Sequence, residues 1–158
     1  MNDVVSELMA IASRYPADIA PRFEAASTPG ELADLECVAG IPISGEVRAF
    51  FECHRAIIAM DIRNGYWLGG PVSLARSIRR GDFPTAIETE AGRVRVLPVG
   101  ADGGGNAFLA TTRGDVWRWD HDTGHVSLTA KSFAAFLRRV AEDWEHDLGE
   151  DDAWTYLV

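Results

Sequence analysis

"GADGGGNAFLAT", residues 100–111, decides between two kinds of protein. Three consecutive glycines, Gly103 to Gly105, lie between two apolar runs, where they either cradle a phosphate or turn the chain back on itself. A phosphate loop needs glycines that lead into a helix whose N-terminal amides face the anion. The glycines here lead into "NAFLATT", residues 106–112, whose residues pair and alternate as those of a strand do. The Walker spacing is missing, the only lysine is the distant Lys131, and Phe108 stands where a GxGxxG pattern needs its third glycine. The stretch therefore reads as a hairpin, with glycine supplying the positive φ angles of a tight turn.

Working outward, this hairpin is the first of a series. "RVRVLPV" (93–99), "NAFLATT" (106–112), "DVWRWD" (115–120) and "HVSLT" (125–129) are four short β-type runs. Turn chemistry separates them: Asp102-Gly103, then Arg113-Gly114-Asp115, then Asp122-Thr123-Gly124, which together predict an antiparallel meander. Upstream the period is helical. Val4, Leu8, Ile11 and Tyr15 share one face of "DVVSELMAIASRY". Thr28, Pro29, Glu31 and Gly40 supply an N-cap, a first-turn proline, a capping-box glutamate and a stop. Ser44 can cap a further helix with Val47, Phe50 and Phe51 inward. "AIIAMDI", "NGYWLGG" and "SLARSIRRG" read as strand, turn with strand, and brief helix. After the meander, Phe133, Phe136, Leu137, Val140, Ala141, Trp144 and Leu148 recur at three and four in a long amphipathic helix capped by Ser132, and "WTYLV" closes the chain as an extended piece. The expected fold is α+β: a single domain over residues 1–158, with a meander sheet of about five to six strands packed by N-terminal helices and a long C-terminal helix.

Composition narrows the function. With 158 residues and 47% apolar content the chain can bury one real core. No stretch reaches the roughly 18 apolar residues of a membrane span, and Asp3 stands where a signal peptide needs a basic start, so a cytoplasmic protein is expected. Cys37 and Cys53 form neither a zinc pattern nor a disulfide framework and are expected to be buried thiols. A net charge of −9 argues against a nucleic-acid binder. Seven acids from Glu142 onward, with no Lys or Arg among them, leave only −2 for the rest. Such a run is a solvated helix face or a docking surface for a basic partner.

No nucleophile or zinc-protease motif is present. His121, Asp122 and His125 form the densest candidate metal cluster, but they straddle a predicted turn whose Asp, Thr and Gly serve the backbone. No metal or cofactor is expected. His54 and His146 are read as capping or surface residues. Trp117 and Trp119, two apart on one strand face, are expected in the core beneath the last helix, or as interface anchors if that face is open. Arg113-Gly114-Asp115 is read as turn chemistry, not as an adhesion motif.

"ELADLECVAGIPISGEVRAFF" (31–51), "YWLGGPVSL" (66–74), "VLPVGADGGGNAFLATTRGDVWRWDHD" (96–122) and "KSFAAFLRRV" (131–140), in that order, resemble the SUKH superfamily. That superfamily includes yeast cell-wall and killer-toxin-resistance regulators and many bacterial toxin-immunity proteins. The resemblance spans about residues 31–140, with an extra N-terminal helix over 1–26 and an acidic extension over 142–158 outside it. Family members commonly place Asn-Gly directly after the aromatic-ended helix, whereas this chain has "ECHRAII" there and meets Asn64-Gly65 later. The resemblance implies a non-enzymatic immunity protein that binds a cognate toxin of nuclease or deaminase class inside the producing cell. The alternatives are a regulatory or scaffold module that recruits a cellular protein and, third, a metal-dependent enzyme using His121, Asp122 and His125. An acidic surface suits a basic nuclease site, which nominates Glu142, Glu145, Asp147, Glu150, Asp151 and Asp152, with Trp154 as aromatic anchor.

Overall fold

The computed structural model describes residues 2–158; Met1 of the expected 1–158 domain lies outside that range. The chain forms α1 (Asn2–Ala12), β1 (Arg22–Phe23), α2 (Pro29–Ala39), α3 (Gly45–Cys53), β2 (Ile57–Ala59), β3 (Tyr66–Leu68), α4 (Pro71–Arg80), β4 (Ala86–Thr89), β5 (Gly92–Asp102), β6 (Ala107–Thr111), β7 (Val116–Trp119), β8 (Val126–Ala130) and α5 (Phe133–Leu148). The α+β class holds, but the sheet has eight strands where five to six were expected. The additions are β1, only two residues long, and β4, whose "AIET" lacks alternation.

All strand pairs are antiparallel, in the order β1-β2-β3-β5-β6-β7-β8. The eleven-residue β5 organises the sheet. One of its edges pairs with β6; the other is shared, β4 taking Gly92–Arg95 and β3 taking Gly100–Asp102. A register shift between Pro98 and Gly100 bends it between the two halves, at a residue that cannot donate to the ladder.

The local signals explain the helices. Thr28 Oγ1 accepts from Glu31 N at 3.3 Å while the Glu31 carboxylate accepts from Thr28 N at 2.7 Å, a complete capping box. Those bonds, the Thr28 amide foremost, hold the Glu31 carboxyl below its usual range. Gly40 closes the helix at φ 66°. On α5, Phe133, Phe136, Leu137, Val140, Ala141 and Trp144 are buried against Leu97, Val99, Phe108, Ala110 and Val116 of the sheet. Phe108 and Phe136 pack with their rings tilted at 51° and centroids 4.9 Å apart. Helix α1 joins the same core through Val4, Val5, Leu8 and Ile11, and Tyr15 Oη donates to the Trp144 carbonyl at 2.9 Å. No helix among the described residues is long and apolar enough to cross a membrane.

Two expectations are corrected. Cys37 and Cys53 are exposed, because each falls on the outer face of its helix between inward Leu, Val and Phe positions. Trp117 and Trp119 do not lie beneath α5. The register sets them opposite Leu109 and Ala107, on the sheet face away from that helix. There they are half-buried around a second small core of Ile87, Val96, Ala107 and Leu109.

His54 closes α3 and lies edge-on to Phe23, with ring centroids 5.8 Å apart. Burial lowers its pKa. Between its folded and unfolded pKa values the folded protein binds fewer protons than the unfolded chain, so stability is intact above about pH 6.5 and falls with pH below it. Thermal unfolding measured from pH 7.5 to 5 should show this limb in the wild type and a flatter one in His54→Phe; equal slopes would remove the assignment.

Candidate partner-binding surfaces

The oligoglycine turn is organised by one carboxylate. The Asp102 side chain, with no exposed surface, accepts from Gly104 N (2.9 Å), Asn106 N (2.9 Å), Asn106 Nδ2 (2.8 Å) and Arg118 Nη2 (3.0 Å). Gly103 N donates to the Asn64 carbonyl at 2.7 Å and Gly105 N to the Asp102 carbonyl at 3.1 Å. All three glycine amides thus have acceptors within the protein, and a strand comes next in the chain. The loop turns a corner. A Cβ on Gly103 would lie 2.0 Å from the Asn64 oxygen, so Gly103→Ala must displace the β2–β3 turn. We expect a loss of about 1–3 kcal/mol, measurable by urea unfolding.

The C-terminal acids do not form one uniform face. Asp143, between Val140 and Trp144, is fully buried. Its carboxylate accepts from Tyr66 Oη, from Trp154 Nε1 at 2.8 Å and from Leu157 N at 2.8 Å, with Arg139 Nη2 at 3.6 Å. Burial first, and then the Asp143 carboxylate, pushes the Tyr66 phenol far above its ordinary pKa. Sequence reading missed this role, although Asp143 lies seven positions after Phe136 and three after Val140 and so falls on the helix's apolar face.

Around this centre the nominated residues divide. Asp147 accepts from Tyr15 Oη at 3.0 Å and pairs with Arg63 Nε at 3.0 Å. Asp151 faces His146 Nδ1 at 2.9 Å and accepts from Ala153 N at 3.0 Å, and the contact with His146 foremost lowers its pKa. Trp154 stacks on His146 at 3.8 Å, lies under the Arg139 guanidinium at 4.3 Å and donates to Asp143. Its polar edge and both ring faces therefore have partners within the chain. "WTYLV" is a docked tail rather than a strand: Leu157 and Val158 pack against the main core, and Arg63 lies over the Tyr156 ring at 4.2 Å. Glu142, Glu145, Glu150 and Asp152 stay exposed; Glu145 meets Arg14, Glu142 lies 3.5 Å from Arg139 and Asp152 3.1 Å from Arg63.

His121, Asp122 and His125 do not converge. His121 Nε2 is 3.1 Å from Asp122, while its backbone amide donates to Asn106 Oδ1 at 3.1 Å. His125 instead lines a groove on the far face of the sheet. Among the described residues, no three His, Cys, Asp or Glu side chains are grouped closely enough to hold a metal. Asp115 of the Arg-Gly-Asp turn accepts from Trp117 Nε1 at 2.6 Å and from Thr111 Oγ1; against the opposing effect of burial, these bonds lower its pKa.

The groove on the far face is a marked concavity of the structure. About 680 Å³ in volume, it is lined by Glu88 to Ala91, Val94, Arg113, Asp115, Trp117 and His125 to Leu128. It lies between the β4–β5 hairpin and the β7–β8 pair.

Architecture and surface together define a helix-covered antiparallel-sheet domain that presents edges, a groove and a partly neutralised acidic end. The chain belongs to the SMI1 / KNR4 family (SUKH-1), whose family model matches residues 26–139, well over half its length. None of the curated proteins compared with the chain matches it.

Asp143→Ala would strand the buried donor of Tyr66 and the half-buried donors of Trp154 and Leu157. Removing one partner of a buried charged network costs about 3–5 kcal/mol. We expect that loss in urea unfolding, together with faster proteolysis C-terminal to Gly149. A tail as resistant to protease as in the wild type would show that Asp143 does not hold it.

Proposed function

We propose that this domain is an immunity protein that acts in the cytoplasm of the producing cell. It binds a cognate toxin of nuclease or deaminase class and neutralises it by occluding its active site rather than by catalysis. The observation that carries this reading is membership of the SMI1 / KNR4 family (SUKH-1) across residues 26–139. The charge distribution supports it. Enzymes that act on nucleic acid keep a basic surface for phosphates, and an acidic protein approaches such a surface quickly. In this chain Glu142, Glu145, Glu150 and Asp152 are exposed at the end of α5. Asp147, Asp151 and Trp154 contribute by holding the tail that shapes that surface.

The test is co-expression with a nuclease or deaminase toxin gene from this gene's immediate neighbourhood, where the reading requires one to lie. Survival of the host and a stable complex on size exclusion are expected. Converting Glu142, Glu145, Glu150 and Asp152 to their amides should slow association by about tenfold at low salt and much less at high salt. A toxin that stays lethal and uncaptured in the presence of this protein would refute the reading.

A further inference from the structure

Among the described residues, strand β8 ends the sheet order and pairs only with β7. Asp120 N donates to the His125 carbonyl at 2.9 Å, which makes 120/125 a hydrogen-bonded pair. Antiparallel pairs alternate, so 118/127 is the next such pair, with 119/126 and 117/128 between bonded positions. The N–H and C=O groups of Val126 and Leu128 therefore point away from β7, toward the free edge. Sheet edges are usually blocked by proline, a charged side chain or a covering element. "HVSLTA", residues 125–130, has no proline, glycine, Lys, Arg or acid, and Leu128 is 48% exposed.

The neighbouring wall is β4, which pairs only with β5 and comes alongside β8. The far-face groove opens between them, with Val94, Trp117, Val126 and Leu128 among its lining residues. Its available charge is negative. Arg113 already stands 3.7 Å from Asp115. Glu88 reaches Arg93 only at 4.0 Å with both side chains about three-quarters exposed, and Glu90 makes no ion pair among the described residues.

We infer that this seam is a strand-addition site: an extended segment of a partner protein pairs with the backbone of Val126 and Leu128, sets alternate apolar side chains on Trp117 and Leu128, and directs a Lys or Arg to Glu88 and Glu90. Unpaired backbone groups specify an extended occupant, the apolar floor specifies alternation, and the unneutralised carboxylates specify the sign of its charge. The inference rests on the reading that the domain works by binding a protein, and it places the grip at the opposite side of the sheet from α5.

A capped synthetic peptide, Ser-Val-Thr-Val-Thr-Lys-Ser, is the probe, read by tryptophan fluorescence and by amide exchange. Saturable binding with slowed exchange at Val126 and Leu128 is expected. A version with Glu in place of Lys should bind about threefold more weakly, a difference that Glu88→Gln with Glu90→Gln removes. A version N-methylated at alternate amides should not bind. Leu128→Lys, at an exposed position, should leave the melting temperature unchanged and weaken binding by about tenfold. No saturable binding, protection at other amides, or equal affinity for the Lys and Glu peptides would overturn the inference. So would a wild-type dimer that Leu128→Lys renders monomeric, since the seam would then hold a second copy. With the toxin itself, capture by the wild type and equally by Leu128→Lys overturns the seam and leaves the proposed function standing. Failure of the wild type to capture the toxin overturns the function, and the peptide still judges the seam.

Discussion

A carboxylate with no exposed surface has to be matched by donors on every side, and Asp143 is matched by three separate parts of the chain. Tyr66 comes from the sheet, Arg139 from the preceding turn of α5, and Trp154 and Leu157 from the tail. An unpaired ion at that depth costs several kcal/mol, so the sheet, the helix and the tail are each held in the one arrangement that supplies a donor. The same requirement fixes the Trp154 ring between His146 and Arg139. The acidic end is thereby a folded surface with a defined shape rather than a loose charged extension.

A second constraint acts on the other side. Strand β5 is longer than any partner, so two strands share one of its edges and the bend at Pro98 separates them. The β4–β5 arm then curls over the far face, where its Ile87 and Val96 close on Ala107 and Leu109, but it does not join β8 in a closed barrel. The small core is satisfied while the seam beside it is left without a ladder. Trp117 shows the compromise: its indole N–H is bound to Asp115, and its ring remains half-buried at the groove.

Most of the fold is legible in the residues because its signals are local. Thr28 with Glu31, Gly40, Ser132 and the 3–4 spacing of α5 each dictate backbone or burial within a few positions, and each does so in the structure. The Asp102 to Asn106 turn is local as well. What could not be read is what depends on partners distant in sequence. The face taken by Trp117 and Trp119 is set by which side α5 covers, and strand alternation alone is symmetric between the two faces. Strand β4 exists because the first half of β5 has a free edge, not because "AIET" favours extension. The acids after Glu142 look alike in sequence, yet Tyr66, Tyr15, Arg63 and Arg14, all more than seventy positions away, decide how Asp143, Glu145 and Asp147 are paired internally.

That division of the acids bears on how the proposed binding would work. Charges already paired at about 3 Å contribute little to a long-range field, since a distant partner sees a dipole where the sequence shows a net charge. The formal −9 therefore overstates the local attraction: at the end of α5 Glu145 and Asp152 are held against Arg14 and Arg63, and what remains comes mainly from Glu150 and from Glu142, 3.5 Å from Arg139. Exposed charge of this kind speeds encounter and orients it, whereas residence time depends on desolvated apolar contact and on backbone hydrogen bonds. The α5 end offers the first and little of the second, because the aromatics of its tail, Trp154 and Tyr156, are already engaged within the chain. The groove offers apolar floor and free backbone groups with only two spare carboxylates at its rim. On the proposed reading the two surfaces divide the labour: the acidic end governs how fast a basic partner arrives, and the seam between β4 and β8 governs how long it stays.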